Sequence, residues 1–482
     1  MSSVLAGLEP QELWKHFEAI AAIPRASAKE AGARNYVLRL AESLALESVV
    51  DEAGNTVVRK PAYPGRESAP VTALQGHLDM VCEKNEGTDF NFDTDPIRIV
   101  RKEDWLYADG TTLGSDNGVG VAAALAVMES QTIQHGPMEF VFTVEEETTL
   151  GGASAFKPGV LKAHYLLNLD NEEKGTLCIG CAGGINTIAQ RKVTFQVGGA
   201  GSGYRVKVSG LRGGHSGVDI HLGRGNAVRI LGGVLQRVME KIPVELADIK
   251  GGSAHNAIPR EASALLVADA TNEAQLESIV EQYADDVRTD LGAFDPDLEI
   301  TVERAEHPRR VIALADAKKS VDLIASLHHG VLAMSPDVPG LVQDSTNVAT
   351  VGLRDGVMEV ITSQRSAIEG SKNIAKRLVA TCCRLAGFEV KHSGDYPGWK
   401  PEPNSEIVHK STQVFEVMYG SSPNLIAMHA GLETGVLGVN YPGMQMISFG
   451  PQIEHPHSPA ERVQISSVAE FWKFLTTVLE KL

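Results

Sequence analysis

The feature that most constrains this chain is a short apolar run that ends in a histidine and a carboxylate. The run Val71 to Leu74 predicts a buried strand, and Gln75-Gly76-His77-Leu78-Asp79 follows it directly. Because residues i and i+2 of an extended strand point to the same face, His77 and Asp79 present an imidazole beside a carboxylate. Such a carboxylate can orient the ring for metal binding or act on a neighbouring ligand. Taken alone, however, the pair is more often a solvated loop.

Four further motifs carry metal-binding or acid–base side chains. Each stands at the end of a strand-like apolar run or in a loop rich in glycine and proline. They are Ser115-Asp116-Asn117-Gly118, Glu145-Glu146-Glu147, Asn168-Leu169-Asp170 and His455-Pro456-His457-Ser458-Pro459. An isolated acidic triplet is more often a solvated turn, but this one follows the apolar run Met138 to Val144. Together the motifs predict a metal site assembled from several strand ends.

The predicted donors are two histidines and several carboxylates, without cysteine. This set suits a hydrolytic zinc site with a position open for water. Two ions that share a carboxylate would lower the pKa of a water and polarise a carbonyl group. The same chemistry needs a general base within hydrogen-bond reach of that water. The glutamate triplet can supply both a base and a ligand, but the spacing alone does not say which glutamate does which.

Composition narrows the class of protein. At 482 residues the chain is long enough for about two or three domains, and its hydrophobic content of 43% is that of a globular protein. A net charge of -17 argues against nucleic acid or an anionic membrane as a partner. No signal peptide is evident, and no apolar run approaches the ~18 residues of a membrane span. The five cysteines form no disulfide framework, and Cys178-x-x-Cys181 has no second pair at zinc-site spacing. We therefore expect a cytoplasmic enzyme.

The order of helix-like and strand-like patterns predicts an α/β fold with an insertion. Patterns alternate up to about residue 180, and a glycine-rich stretch at about 183–203 marks the exit from the first domain. A second set of strands and helices follows, until Tyr396-Pro397-Gly398-Trp399 marks a return. Since His457 must reach His77 if the site is real, the catalytic domain is discontinuous. We expect it to comprise residues 1–183 and 397–482, with 184–396 inserted as a second domain.

Several of these motifs, in this order, resemble those of one enzyme family. The sequences Gly-His-Leu-Asp-Met-Val, Leu-Gly-Ser-Asp-Asn-Gly-Val-Gly, Thr-Val-Glu-Glu-Glu-Thr, Leu-Asn-Leu-Asp, Gly-Gly-His-Ser-Gly and His-Ser-Pro-Ala-Glu are similar to those of the co-catalytic di-zinc peptidases related to aminoacylase and carboxypeptidase G. Three further motifs resemble a subgroup of dipeptidases that cleave Xaa-His. They are Asn256-Ala257-Ile258-Pro259-Arg260-Glu261, Tyr396-Pro397-Gly398-Trp399 and His429-Ala430-Gly431-Leu432-Glu433. The similarity covers essentially the whole chain.

The resemblance implies a catalytic domain with a mixed sheet between helices and an inserted α+β lid. It also implies two zinc ions per subunit, although Co²⁺ and Mn²⁺ are compatible with the same donors. His77, Asp116 and Asp170 would hold one ion. Asp116, Glu147 and His457 would hold the other, so that Asp116 bridges the pair.

The resemblance also assigns roles beside the ions. Asp79 would orient His77, and Glu146 would be the general base that activates a water between the ions. The family usually has Asp-Glu-Glu where this chain has Glu145-Glu146-Glu147, so the triplet begins one methylene longer. His455 lies outside the His-Ser-Pro pattern and is expected to be a loop residue.

Four residues, three of them in the insertion, are candidates for substrate binding. A histidine in a glycine-rich turn is more often structural, but the resemblance implies that His215 stabilises the oxyanion, from the lid or from a partner subunit. Asn256, Arg365 and the backbone around Gly431 would hold the substrate carboxylate. An arginine suits that role because its guanidinium binds a carboxylate with two parallel hydrogen bonds. A surface ion pair is the alternative for Arg365.

The resulting expectation is a metal-dependent dipeptidase acting on Xaa-His, including β-alanyl-histidine, and on other dipeptides. An N-acyl-amino-acid or N-carbamoyl deacylase with the same metal centre is the first alternative. A non-catalytic binding protein derived from a peptidase is the second, and it predicts a lost ligand or base, whereas all are present. A homodimer through the lid domain is left open.

Overall fold

The computed structural model describes residues 4–482, which form two compact units. The first unit comprises residues 4–180, Trp399–Ala427 and Leu432–Leu482. The second comprises Cys181–Gly398 and Met428–Gly431. The first three residues of the predicted catalytic domain lie outside the described part of the chain.

A mixed eight-stranded sheet forms the centre of the first unit. Four neighbouring strands in its middle are parallel, and antiparallel strands flank them. The parallel strands carry apolar, almost wholly buried side chains, as expected for strands covered on both faces. In spatial order the strands are Glu47–Val50, Thr56–Lys60, Met138–Thr143, Thr72–His77, Tyr165–Asn168, Gln445–Ser448, Thr176–Cys181 and Asn424–Met428.

Helices complete the first unit. Helix Ser115–Glu129 is buried along nearly its whole length, because its alanines and glycines let the backbone approach the sheet closely. The other helices are Gln11–Ala21, Ala31–Ser43, Glu146–Thr149, Gly151–Ala155, Glu406–Tyr419, Glu433–Asn440 and Ile465–Lys481. A small antiparallel sheet supports the loop that contains His457. In spatial order its strands are Ile453–Glu454, Arg462–Gln464, Trp105–Ala108 and Ile99–Lys102.

The second unit is an antiparallel sheet with helices packed on its hydrophobic face. In order, its strands are Glu299–Ala305, Ser202–Ser209, Ala262–Ala268, Val244–Gly251, Val342–Arg354, Val357–Ser366, Gly183–Lys192 and Glu389–Tyr396; Gly330–Met334 pairs with Val342–Arg354. Two short pairs join Phe195–Val197 to Arg310–Ile312 and Gly214–His215 to Ala257–Ile258. The helices are Ala227–Lys241, Glu273–Leu291, Leu314–Ser326 and Glu369–Leu385, with a short 3₁₀ turn at Ala270–Asn272.

The predicted α/β class is confirmed, and two strands of the second unit show where the local sequence pattern is a poor guide. Strand Gly183–Lys192, which is paired on both sides, lies in the glycine-rich stretch that we interpreted as the exit from the first domain. Its glycines suggested a break although alternate side chains farther along are buried. Strand Val244–Gly251 is hard to recognise in the sequence, because a bulge between Leu246 and Asp248 interrupts its alternation of apolar and polar residues.

Candidate metal centre

The candidate centre of the first unit lies at the carboxyl edge of the parallel strands. His77 is the last residue of its strand and pairs in register with Thr143, while Gln75 pairs with Asn168. The segments that follow these strands therefore leave the sheet at one edge, where ligand sites of open α/β sheets occur. This edge brings Glu146, Glu147 and Asp170 close to His77.

Asp116 lies between the two histidines. Its Oδ1 is 3.2 Å from His77 Nε2, and its Oδ2 is 3.1 Å from His457 Nε2. Asp170 Oδ1 lies 3.3 Å from His77 Nε2, and Glu147 Oε2 lies 3.0 Å from His457 Nε2. The structure thus forms two groups of three donors, each within 4.8 Å, that share the carboxylate of Asp116.

Irregular backbone places these side chains. Asp116 opens helix Ser115–Glu129 with non-helical angles (φ -83°, ψ 114°), and Gly114 before it has a φ of 68°. His457 also has a positive φ, of 60°, in its loop. Non-glycine residues adopt this region uncommonly, and outliers of this kind concentrate at functional sites.

The donor set suits a cation. Glu147 Oε1 is buried and accepts no hydrogen bond from a described residue. Burying a charged oxygen without a partner is costly, and a metal ion between the carboxylates would remove that cost. Nitrogen and oxygen donors without sulfur are compatible with Zn²⁺ and with other divalent ions of the first transition series.

The charges of the cluster shift its titration. Hydrogen bonds to Asp116 and Glu147 raise the pKa of His457 to about 11. Burial raises the pKa of Asp170 to about 7, and the neighbouring Asp116 and Glu147 carboxylates add to the effect although His77 opposes it. Without a cation His457 and Asp170 therefore hold protons more tightly than usual, and a divalent ion would compete with those protons.

Asp79 contacts both a histidine and the acidic triplet. It is fully buried, and its Oδ1 lies 3.5 Å from His77 Nδ1. Oδ1 accepts the Glu146 N–H and Oδ2 accepts the Glu147 N–H, each at 3.1 Å, and Ser27 donates its hydroxyl to Oδ2. Burial alone would raise the pKa of Asp79, but the interactions with His77 and these hydrogen bonds lower it to about 2. Asp79 is therefore a carboxylate that holds both the imidazole and the glutamates in place.

The three glutamates of the triplet differ in their surroundings. Glu147 faces His457, whereas Glu146 forms a third donor group with His77 and Glu147. Burial and the nearby carboxylates raise the pKa of Glu146 well above its usual range, against the opposing charge of His77. Glu145 has a φ of 53° and donates its N–H to Glu30 Oε1. It belongs to none of the donor groups found among residues 4–482.

The four candidates for substrate binding all lie in the second unit. His215 belongs to the short strand pair with Ala257, and the Asn256 carbonyl accepts the Ser216 N–H at 2.8 Å. His215 Nδ1 accepts the N–H groups of Gly217 and Val218, so its ring proton is on Nε2. Burial lowers the pKa of His215 to about 4, and the charge of Arg365 contributes. His215 is therefore a neutral hydrogen-bond donor at pH 7.

Arg365 and Gly431 share a contact with Tyr396. Arg365 Nη1 donates to the Tyr396 hydroxyl at 2.9 Å, and a Cβ at Gly431 would lie 2.8 Å from the Tyr396 ring. Arg365 is buried, and its Nε has no hydrogen-bond partner among the described residues. A buried guanidinium with an unused donor can bind an anionic group. Asn256 itself is exposed in this structure.

Two buried residues, His429 in the second unit and Glu433 in the first, had no role predicted from the sequence. In the second unit, His429 Nε2 lies 2.7 Å from Ser345 Oγ, and a Cβ at Gly217 would lie 2.0 Å from the His429 carbonyl oxygen. In the first unit, the buried Glu433 accepts hydrogen bonds from Gln75 Nε2 and Thr143 Oγ1. His429 and Glu433 lie within a motif that indicated the subgroup, but the motif does not disclose their partners.

Comparison with known proteins identifies the family. The model of peptidase family M20/M25/M40 matches residues 73–481, and the chain belongs to this family of metallopeptidases. The resemblance inferred from the motifs is therefore confirmed.

Individual relatives agree with this assignment. The chain is 36% identical over 481 residues to the cytosol non-specific dipeptidase of Escherichia coli, which covers 100% of this chain and 99% of the relative. It matches the crystal structure of aminoacylhistidine dipeptidase from Vibrio alginolyticus with a TM-score of 0.93 and 38% identity, over 99% of this chain and 98% of that one. Aminopeptidase PepT from Bacillus cereus, at 15% identity and a TM-score of 0.56 over 98% and 99% of the two chains, shares the fold.

None of the helices within residues 4–482 has the length and apolar character needed to span a lipid bilayer.

Proposed function

We propose that this chain is a metal-dependent dipeptidase that hydrolyses Xaa-His, including β-alanyl-histidine, and other dipeptides. The observation that carries the proposal is the Asp116 carboxylate, whose two oxygens face His77 and His457 separately. The names of the two relatives that match over the whole chain, a dipeptidase and an aminoacylhistidine dipeptidase, support the substrate class.

Two zinc ions are the proposed cofactors. His77, Asp116 and Asp170 would hold one ion, and Asp116, Glu147 and His457 the other. When bound, ions at these positions supply Lewis acidity that lowers the pKa of a water and polarises a peptide carbonyl. Co²⁺ and Mn²⁺ accept the same nitrogen and oxygen donors.

Glu146 is the proposed general base. Glu147 already faces His457, so Glu146 is the glutamate of the donor groups whose carboxylate is not committed to that histidine. Its carboxylate would take a proton from the attacking water and then deliver that proton to the nitrogen of the leaving amine. Asp79 fixes the position of Glu146 through the Glu146 N–H and orients the ring of His77.

Four residues are the proposed contacts to the dipeptide. Arg365 has an unused Nε donor and would bind the free carboxylate. His215 would donate its Nε2 proton to the oxyanion that develops from the peptide carbonyl. Asn256 and the backbone at Gly431 are proposed to complete substrate binding. A homodimer through the second unit stays a prediction.

We propose that the protein acts in the cytosol. The name of the Escherichia coli relative, cytosol non-specific dipeptidase, supports this location.

The proposal is tested by hydrolysis of β-alanyl-histidine, leucyl-histidine, a dipeptide without histidine and an N-acetyl amino acid. Each assay is run with Zn²⁺, after chelation, and with the variants Glu146→Gln and Glu145→Gln. We expect dipeptide cleavage that is lost on chelation and in Glu146→Gln, while Glu145→Gln, one residue away, stays active. Glu146→Gln should still bind metal, which separates a lost base from a lost ligand. Cleavage of the acetyl compound alone would instead indicate a deacylase.

A further inference from the structure

Glu461 is a buried carboxylate whose partners lie where the chain enters helix Ser115–Glu129. It is only 2% exposed. Its oxygens accept the backbone N–H groups of four consecutive residues at 2.7–3.3 Å, and the Ser115 hydroxyl at 2.6 Å. The four N–H groups belong to Leu113, Gly114, Ser115 and Asp116. One side chain thus determines the path of the backbone into Asp116.

Arg25 holds the same segment from a different direction. It is also 2% exposed, and its Nη2 donates to the Gly114 carbonyl. Its Nη1 donates to the carbonyls of Leu78 and Asp79, at 3.0 and 2.7 Å. A Cβ at Gly114 would lie 2.6 Å from Arg25 Nη2, so the absence of a side chain there permits the contact. Arg25 therefore joins the loop of Asp79 to the loop of Asp116.

These contacts connect the segments that carry His77, Asp116, Glu147 and His457. Glu461 lies four residues after His457, in the loop between Ile453–Glu454 and Arg462–Gln464, and so joins that loop to Asp116. The Asp79 carboxylate in turn accepts hydrogen bonds from the backbone N–H groups of Glu146 and Glu147. Arg25, Asp79 and Glu461 form a continuous hydrogen-bonded support on the backbone side of the cluster.

A helix cap alone does not account for Glu461. An N-cap side chain satisfies one N–H group of the first helical turn. Here the carboxylate accepts four N–H groups and a hydroxyl, and Asp116 within that set is not helical. The irregular conformation is the one in which the two oxygens of Asp116 face His77 and His457. These hydrogen bonds and the charge of Arg25 oppose the cost of burying Glu461 near other carboxylates, although burial still raises the pKa of Glu461.

We propose that Glu461 and Arg25 are positioning residues for the metal centre, and that Glu461 determines the affinity of the ion shared by Asp116, Glu147 and His457. The proposal rests on the proposed metal binding and extends it to residues that touch no ion. The His457 side chain is 52% exposed and projects from a loop, so its position depends on what anchors that loop. Partners that orient ligands in this way change metal affinity by about 10- to 100-fold when they are mutated.

The test compares Glu461→Gln with Glu139→Gln. Glu461→Gln leaves the side-chain volume unchanged, but its amide nitrogen cannot accept the hydrogen bonds that a carboxylate oxygen accepts from the backbone N–H groups. Glu139 is a matched control, because it is equally buried and accepts the N–H groups of Lys162 and Ala163 near the opposite edge of the same sheet. The purified proteins are loaded with Zn²⁺ or Co²⁺ and dialysed against a graded chelator series. Bound metal, its rate of release and the visible Co²⁺ spectrum are then measured.

We expect wild type and Glu139→Gln to retain two ions under conditions in which Glu461→Gln retains about one. The weaker site of Glu461→Gln should release metal about 10- to 100-fold faster, and its Co²⁺ spectrum should change. Equal retention and equal release in Glu461→Gln and Glu139→Gln would overturn the inference. If Glu461→Gln does not fold, Ser115→Ala is compared with wild type instead, because it removes one of the five hydrogen bonds to Glu461. Ser115→Ala should release metal faster than wild type. An unchanged rate of release would overturn the inference.

The outcomes separate this inference from the proposed function. Wild-type protein that binds two ions but cleaves no dipeptide would refute the function and leave the metal test of Glu461 valid. An active dipeptidase whose metal affinity and release rate are unchanged by Glu461→Gln would refute the inference and leave the proposed function standing. Wild-type protein that binds no ion would overturn both.

Discussion

Mild acid should destabilise the second unit, and His429 is expected to account for a measurable share of the effect. Burial lowers the pKa of His429 from 6.5 to about 3, and the positive charge of Arg365 contributes. The unfolded chain therefore takes up a proton below pH 6.5 that the folded unit takes up only near pH 3. Stability associated with neutral His429 is complete above pH 6.5 and is lost progressively as the pH falls toward 3.

The loss of unfolding free energy between pH 7 and pH 5 depends little on the exact pKa of His429 in the folded state. At pH 5 His429 is neutral in the folded state, whereas the unfolded histidine is about 1.5 pH units below its pKa. At about 1.4 kcal/mol per unit, the free energy of unfolding falls by about 2 kcal/mol from this residue alone. His429→Gln can retain a hydrogen bond to Ser345 and should remove this pH-dependent component.

The assay is urea unfolding at pH 7 and pH 5. Far-UV circular dichroism follows the transition, and hydrogen exchange of strand Val342–Arg354 assigns it to the second unit. We expect wild type to lose about 2 kcal/mol more than His429→Gln between the two pH values. His255→Gln is the control, because His255 is exposed in the same unit, and it should behave like wild type. The same pH dependence in wild type and His429→Gln would refute the claim that His429 is held neutral.

Two other predictions concern substrate and metal. Arg365→Lys should reduce kcat/KM for dipeptides with a free carboxylate by about 10- to 100-fold, because charged hydrogen bonds contribute about 1.5–3 kcal/mol. The same variant should change the cleavage of C-terminally amidated dipeptides little. Equal losses on both substrates would exclude carboxylate binding by Arg365. Removal of metal by chelation should lower the melting temperature of the first unit, and Zn²⁺ at about 1,000 times its Kd should restore about 4 kcal/mol of unfolding free energy. Calorimetry of wild type and of His457→Ala checks this prediction. An unchanged melting temperature on chelation would contradict it.

The metal-site candidates could be predicted because each has a local signal. His77, Asp116, Asp170 and His457 each follow an apolar run or lie in a loop with glycine or proline. Strand ends of a parallel sheet meet at one edge, so local patterns and a general rule of α/β folds were enough to group them. The structure brings these side chains together, and their roles as ligands remain proposals.

The second unit was harder to predict because its candidates are organised by contacts distant in sequence. Tyr396 contacts Arg365 and lies against Gly431, whereas no pattern in the chain links these three positions. The neutrality of His215 follows from hydrogen bonds to Gly217 and Val218 and from its burial, which a sequence does not display.

Glu461 shows most clearly why local pattern is insufficient. It stands in the motif His-Ser-Pro-Ala-Glu that indicated the family, yet its hydrogen-bond partners lie 345 to 348 positions earlier in the chain. A glutamate four residues after a candidate ligand looks like any solvated loop carboxylate until its burial is known. A ligand is recognisable from its chemistry and spacing, whereas a residue that positions a ligand is defined by the contacts it makes. The precision of this metal centre therefore depends on residues such as Arg25 and Glu461, whose importance becomes visible only when the chain is folded.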